Sequence, residues 1–176
     1  MSAVIADPPI LTERLRLRPY TVDDLDSLAA QIGDAETMRY YPNPLTREEA
    51  RIWIDNQLHR YEQDGYGLLV MEDRETGEWV GQCGPATRDV DSVTEVEIGW
   101  LTAREHWGKG YAPEAGLACA AWVFANTERM HVISLIRPEN SPSARVAEKI
   151  GMSAWREIMY KAYRHIVWGI RRDQMP

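Results

Sequence analysis

Three consecutive strand-like segments joined by short turns lie in the middle of this 176-residue chain and restrict its fold more than any other feature. They cover residues 67–72, 79–88 and 93–102. The connections between them, Glu75-Thr76-Gly77 and Asp89-Val90-Asp91-Ser92, carry turn residues and are too short for parallel crossovers. The segments therefore predict an antiparallel meander around which the rest of the chain must pack.

On both sides of this meander the hydrophobic pattern predicts further strands and helices. Strands are expected where apolar and polar residues alternate, at 11–20, 131–137, 154–161 and 164–171. Helices are expected where apolar residues recur at helical spacing between caps, at 21–33, 46–64, 113–126 and 141–150. With a single strand-helix-strand crossover, this order predicts a mixed α/β (α+β) fold whose central seven-stranded sheet is mostly antiparallel and flanked by helices.

Composition limits the class of protein. The 44% hydrophobic content suits one domain over residues 1–176, in which residues 1–9 form a loose lead. The formal net charge of −7 argues against a nucleic-acid partner and favours a cationic amine or a basic polypeptide. No apolar stretch reaches a membrane span, and the start does not resemble a signal peptide, so we expect a cytoplasmic protein. Cys83 and Cys119 are expected to be packing residues, and the scattered histidines predict no metal site.

A glycine-rich turn, Trp107-Gly108-Lys109-Gly110-Tyr111-Ala112, connects the meander to the next helix. Such a turn lets backbone N–H groups approach an anion at the positive end of the helix. The alternative is that Gly108 and Gly110 only shape a tight connection. Walker and Rossmann loops are excluded, because Gly110 follows Lys109 where a Walker loop needs Ser or Thr and Pro113 replaces the third Rossmann glycine.

The same residues resemble a family signature. Trp107 to Ala112 is similar to the Gln/Arg-x-x-Gly-x-Gly/Ala motif of GNAT acetyltransferases, with Trp107 in the first place as in RimJ/RimL-type members. Four other stretches resemble elements of that branch: Leu15-Arg16-Leu17-Arg18-Pro19, Glu97-Ile98-Gly99-Trp100-Leu101, Asn140-Ser141-Pro142-Ser143 and Lys149-Ile150-Gly151-Met152. The resemblance covers nearly the whole chain.

This resemblance implies a GNAT fold with a splayed sheet, in which acetyl-CoA enters between the strand ending at Thr102 and the strand 131–137. The pantetheine arm would pair with the first strand and the pyrophosphate would meet the glycine turn. The implied cofactor-binding residues are Trp100, Leu101, Thr102, Trp107, Gly108, Lys109, Gly110, Tyr111, Ala112, Asn140 and Ser143.

Glu97 and Ser143 are the catalytic candidates. Glu97 and Glu95 project from one strand face, and Glu97 is favoured as general base because it matches the family position, although both could form a solvated face. Ser143 resembles the serine offered to the coenzyme A sulfur, while helix capping is the alternative for Ser143 and Asn140. Tyr160 or Tyr163 could serve as the acid instead. A backbone N–H near Leu101 would stabilise the oxyanion, and Glu114 is explained by the helix dipole.

We therefore expect an acetyl-CoA-dependent N-acetyltransferase that moves an acetyl group directly to a primary amine. The acceptor could be a protein N-terminal α-amine or a small-molecule amine, and the sequence does not choose between them. A non-catalytic acyl-CoA binding or sensing domain is the alternative. No metal, nucleic acid or membrane partner is expected, and a homodimer is the tendency of the family.

Overall fold

A computed structural model describes residues 9–176, so residues 1–8 of the predicted lead lie outside the described part. The strands are β1 Ile10–Leu11, β2 Leu15–Arg18, β3 Leu69–Asp73, β4 Trp79–Val90, β5 Val93–Thr102, β6 His131–Ile136, β7 Ser153–Tyr160 and β8 Tyr163–Arg171. The α-helices are α1 Leu25–Gly33, α2 Arg47–Asp64, α3 Tyr111–Asn126 and α4 Ser141–Ile150. One sheet has the order β1-β2-β3-β4-β5-β6-β8-β7, and only its β5–β6 pair is parallel. The predicted mixed α/β fold is confirmed.

The sheet has eight strands because the first predicted strand is divided. The Thr12 N–H donates to the Leu15 carbonyl at 2.9 Å, and the Leu15 N–H donates to the Thr12 hydroxyl at the same distance. This turn reverses the chain, so that Ile10 pairs with Leu17 in a β1–β2 hairpin. The alternating pattern could not predict this reversal, because the reversal depends on a hydrogen bond to the side chain of Thr12.

The helix ends follow from capping residues. At α2 the Thr46 hydroxyl accepts from the Glu49 N–H at 3.2 Å, and the Glu49 carboxylate accepts from the Thr46 N–H at 2.7 Å. This is the predicted capping box. The first helix differs, because a 3-10 turn at Val22–Asp24 precedes α1. None of the helices in residues 9–176 is long and apolar enough to cross a membrane.

Apolar side chains cover both faces of the sheet. Helices α3 and α4 pack on one face, where Val96 and Ile98 of β5 are fully or almost fully buried. Helices α1 and α2 pack on the other face, against residues such as Val70. A fully buried aliphatic side chain contributes about 1.5–3 kcal/mol, so this alternation holds the register of β5 firmly. It also places Glu97, which lies between Val96 and Ile98, on the α1–α2 face.

Candidate active site

The two parallel strands, β5 and β6, separate soon after they meet. Within the described chain their backbone registers pair at one position, Glu97 with Ile133. Just beyond it, the Ser134 hydroxyl donates to the Ile98 carbonyl at 2.7 Å and replaces a backbone partner. The Ile98 carbonyl thus faces the gap, and the alternation of strand backbone puts the groups of Trp100 on the same side. A wedge-shaped gap with unpaired backbone results.

The end of β5 is held by side chains from other elements. The Leu101 carbonyl accepts from the Gln31 amide nitrogen at 2.7 Å. The Thr102 carbonyl accepts from the indole N–H of Trp107 at 2.8 Å. Two of the three backbone positions predicted to pair with pantetheine therefore already have protein partners for their carbonyl groups. Trp107, at the first place of the glycine signature, ties the turn to the strand.

The glycine turn leads into α3 with its backbone N–H groups uncovered. Gly108 and Gly110 have φ of +75° and +82°, a conformation that costs other residues roughly 1–2 kcal/mol. Gly110 is the N-cap of α3 and provides no side-chain cap. The N–H groups of Tyr111 and Ala112 in the first turn thus have no intrahelical acceptor. The turn therefore presents unpaired backbone N–H groups at the start of α3, which is the arrangement that an anion site requires.

An ion pair anchors this turn to the N-terminal hairpin. The Arg14 Nε and backbone N–H each donate to the Glu114 carboxylate at 2.8 Å, and the Thr12 hydroxyl donates to it at 2.5 Å. A second Arg14 nitrogen donates to the Lys109 carbonyl at 2.8 Å. Burial opposes ionisation of Glu114, but the hydrogen bonds from Thr12 and Arg14 outweigh it and lower its pKa. Glu114 therefore does more than complement the helix dipole.

One cavity of about 750 Å³ joins the gap, the glycine turn and α4. Its volume suits an extended organic ligand. Lys109 is the one predicted cofactor residue outside the lining, because its carbonyl faces Arg14 and its Nζ lies 3.4 Å from the His106 ring. The lining includes the other ten: Trp100, Leu101, Thr102, Trp107, Gly108, Gly110, Tyr111, Ala112, Asn140 and Ser143.

Of the two candidate bases, only Glu97 lines this cavity. Its carboxylate accepts from Arg88 Nε at 2.6 Å and from the Leu135 N–H at 3.3 Å. The second contact uses a backbone donor of β6 that the splay has freed. Glu95 lies two residues earlier on the same face, and its carboxylate lies 2.7 Å from His131 Nε2. The geometry thus separates two glutamates that the sequence left as alternatives.

Tyr41, in the connection between α1 and α2, also lines the cavity, and sequence reasoning missed it. The residue keeps 42% of its surface accessible, but its hydroxyl lies close enough to Glu97 and Arg88 to be affected by both charges. Burial, and then the negative charge of Glu97, raise the pKa of Tyr41 to about 12. Tyr41 therefore holds its proton more firmly than an ordinary tyrosine, and it lines the cavity together with Tyr160 and Tyr163.

The two polar residues at the start of α4 have different roles in the structure. The Asn140 side-chain oxygen accepts from the Ser143 N–H at 3.2 Å, so Asn140 is the helix N-cap. The Ser143 hydroxyl makes no hydrogen bond to any other described residue and borders the cavity. Capping therefore accounts for Asn140 and leaves the Ser143 side chain available. Arg145 and Lys149 of α4 add positive charge to the same wall.

Comparison with known proteins identifies the family to which this fold and this cavity belong. A family model described as acetyltransferase (GNAT) domain matches residues 14–153, so the chain belongs to the GNAT acetyltransferase family. Two curated relatives come from bacilli. An uncharacterized protein of Bacillus subtilis, YkkB, is 37% identical over 148 residues, which cover 84% of this chain and 86% of YkkB. The uncharacterized N-acetyltransferase p20 of Bacillus licheniformis is 31% identical over 145 residues and covers 80% of each chain.

Solved structures share the whole architecture. An acetyltransferase from Agrobacterium tumefaciens matches with a TM-score of 0.81 and 28% identity, over 94% of this chain and 95% of that one. A RimL ribosomal L7/L12 α-N-protein acetyltransferase in complex with coenzyme A matches with a TM-score of 0.76 over 94% of this chain and 99% of its own. Its identity is 13%, so this second likeness shows the fold alone.

Proposed function

We propose that the protein transfers an acetyl group from acetyl-CoA directly to a primary amine. The observation that carries the proposal is the continuity of one cavity from the uncovered N–H groups at the start of α3, through the β5–β6 gap, to the Glu97 carboxylate. An anion site, a strand-like slot and a base thus follow one another in the order in which the pyrophosphate, the pantetheine arm and the reacting thioester follow one another in acetyl-CoA.

The residues present fit this co-substrate. Gly108 and Gly110 have no side chains that would block phosphate oxygens and adopt the positive φ that this turn requires, and Arg145 and Lys149 supply positive charge nearby. The gap beside Trp100 leaves backbone groups for a ligand that pairs like an added strand. Bound acetyl-CoA supplies a thioester whose carbonyl carbon the amine nitrogen attacks, so that a C–N bond forms, the C–S bond breaks and thiolate leaves.

The chain itself must handle two protons. Glu97 accepts the ammonium proton, directly or through water, so that the amine becomes nucleophilic. After the attack the nitrogen loses a second proton, and this balances the proton that the departing thiolate takes up through the Ser143 hydroxyl, which has no partner in the described chain. Tyr41, Tyr160 and Tyr163 remain alternative donors to the thiolate, since all three line the cavity.

The acceptor is a protein N-terminal α-amine or a small-molecule amine. The GNAT signature with Trp107 in its first place favours a position near the RimJ/RimL branch, and the RimL neighbour is named for an α-N-protein substrate. That likeness is one of fold, so both acceptor classes stay within the proposal. The cytoplasmic location and the homodimer stay predictions.

Two glycine variants test the proposal. Gly110→Glu places a carboxylate against the pyrophosphate and should weaken acetyl-CoA binding by at least about a hundredfold, since like charges repel strongly at a desolvated contact. Gly77→Glu is the matched control, because Gly77 has φ of +73° in an exposed turn outside the cavity and carries the same backbone strain. Calorimetry measures binding, and free thiol release with a panel of amines measures transfer.

Equal affinity of both variants for acetyl-CoA would contradict the assignment of the glycine turn to the pyrophosphate. Binding without thiol release for any amine would favour an acyl-CoA binding domain.

A further inference from the structure

The charge of the cavity wall is opposite to that of the protein. The chain carries a formal net charge of −7, yet only Glu36 and Glu97 contribute carboxylates to the lining among the described residues. Six cationic side chains face them: Arg39, Arg88, Arg137, Arg145, Lys149 and Lys161. The acidic surface therefore does not extend into the site, and the expectation of a cationic partner drawn from net charge does not apply to the cavity.

The phosphates of coenzyme A account for only part of this positive charge. Arg145 and Lys149 lie on α4, which begins at the cofactor end of the cavity. Arg39 lies over the ring of Trp107 in the glycine turn, 5.4 Å from its centroid, and 3.8 Å from the Glu36 carboxylate. These three cations border the segment that would hold the pyrophosphate and the remaining phosphate. The other three lie elsewhere.

Arg88, Arg137 and Lys161 come from β4, from the end of β6 and from the β7–β8 turn, away from the glycine turn. Arg88 is paired with Glu97 at 2.6 Å, and Arg137 with Glu139 at 2.6 Å. Lys161 makes no hydrogen bond or ion pair with any other described residue. The end of the cavity that contains the proposed base thus has a cation left without a counter-charge.

The β7–β8 turn places this cation at the edge of the cavity, where Lys161 is an exposed residue. Lys161 and Ala162 have φ of +46° and +66°, the conformation of a tight hairpin turn between Tyr160 and Tyr163. Both tyrosines line the cavity, and Lys161 Nζ lies 5.6 Å from the centroid of the Tyr160 ring. The ammonium group therefore borders the same cavity as the Arg88–Glu97 pair.

We propose that the acetyl acceptor is an amine whose molecule also carries an anionic group, a carboxylate or a phosphate, and that Lys161 binds this group while Glu97 faces the amine. The inference rests on the proposed transfer to a primary amine and narrows the range of possible acceptors. Such an acceptor neutralises the cationic wall, whereas a polyamine or another polycation would bring more positive charge to it. The anionic group could belong to a free amino acid or to an acidic side chain beside a peptide N-terminus.

Matched acceptors test this inference with the full-length enzyme and acetyl-CoA. The pairs are L-methionine with L-methioninamide, and a Ser-Asp-Ala with a Ser-Asn-Ala peptide amide, with spermidine as the polycation. Rates of thiol release are expressed per unprotonated amine, because the amide lowers the amine pKa. We expect kcat/KM to favour the anionic member of at least one pair by about tenfold or more, the size of a charge-assisted contact. The preferred pair then distinguishes the two sources.

Three variants assign that preference to Lys161. Lys161→Gln should abolish it without changing the KM for acetyl-CoA, and Lys161→Arg should keep it. Arg164→Gln removes the same charge from an exposed residue that binds Glu157 outside the cavity, and should behave as the unmodified enzyme. Equal kcat/KM within both pairs, a preference for the amides or for spermidine, or a preference that survives in Lys161→Gln would overturn the inference alone. Thiol release with none of the amines would overturn the proposed function itself.

Discussion

At the scale of single residues, Glu97 and Glu95 show how position decides the chemistry available to a side chain. Both carboxylates project from the same face of β5, and both have a basic partner. Glu97 lies where β6 begins to diverge, so its second oxygen contacts a freed backbone N–H and borders the cavity. Glu95 lies where β6 begins and is paired with His131. The two residues therefore allow a direct comparison of a glutamate that borders the cavity with one that does not.

Replacing each glutamate by its amide should give different results. Glu97→Gln keeps the size of the side chain but removes the proton acceptor, so kcat should fall about a hundredfold or more while the KM for acetyl-CoA changes little. Glu95→Gln should stay close to the unmodified kcat. Steady-state kinetics with a saturating amine measures both. Unchanged kcat in Glu97→Gln would mean that Glu97 is not the base, and loss of activity in Glu95→Gln alone would assign that role to Glu95.

Some of these residues could be predicted from the sequence and others could not. The alternation of Val96 and Ile98 with polar neighbours was enough to place Glu97 on the correct face of its strand. Tyr41 lies in an irregular connection where no period exists, so only the folded chain brings it to Glu97. The contact of Arg88 with Glu97 could not be predicted for another reason, because it depends on the β4–β5 register.

At the scale of elements, the β1–β2 hairpin supports the glycine turn. Arg14 contacts both the Glu114 carboxylate and the Lys109 carbonyl, and its guanidinium lies 4.7 Å from the centroid of the Tyr111 ring. Arg14 and Glu114 are 100 residues apart in sequence, so no local pattern could reveal their contact. The ends of α4, in contrast, were predictable to the residue, because Asn140 and Gly151 are its own caps.

Releasing this hairpin should weaken cofactor binding without affecting chemistry. Arg14→Ala removes the tie to the turn, so the KM for acetyl-CoA should rise roughly three- to tenfold at unchanged kcat, a modest effect because the pair is partly exposed. Arg16→Ala is the control, since Arg16 lies on the same hairpin but binds Glu72 outside the cavity. A fall in kcat with constant KM would assign Arg14 a different role.

The same tie has a defined pH dependence. The folded-state pKa of Glu114 is lowered, so its contribution is present above the ordinary carboxyl pKa of 4.5 and is lost as the pH falls through the lowered value. The effect of Arg14→Ala on KM should therefore be the same at pH 6 and at pH 8. An effect that disappears between these values would show that another group controls the turn.

At the scale of the whole molecule, the sheet consists of two parts whose backbones pair at one described position. Strands β1 to β5 form one antiparallel part and β6 to β8 the other, and their registers meet at Glu97 and Ile133. Helices α3 and α4 cover the junction on one face. A ligand that lies in the gap would contact both parts at once. Its binding should consequently stabilise the complete fold and not only the glycine turn.

Coenzyme A without an acetyl group tests this consequence independently of catalysis. At a concentration about 100 times its Kd, a ligand that binds only the folded state adds about 2.7 kcal/mol to the free energy of unfolding, which for a chain of this size raises Tm by roughly 5–10 °C. Calorimetry or fluorescence melting should show one shifted transition, because both parts of the sheet gain contacts. The Tm of Gly77→Glu should rise by the same amount, and that of Gly110→Glu by no more than about 1–2 °C, because a hundredfold weaker Kd leaves a stabilisation of only about 0.4 kcal/mol. If coenzyme A split the melting into two transitions, the ligand would be stabilising only one part of the sheet, and the gap would not be its binding site.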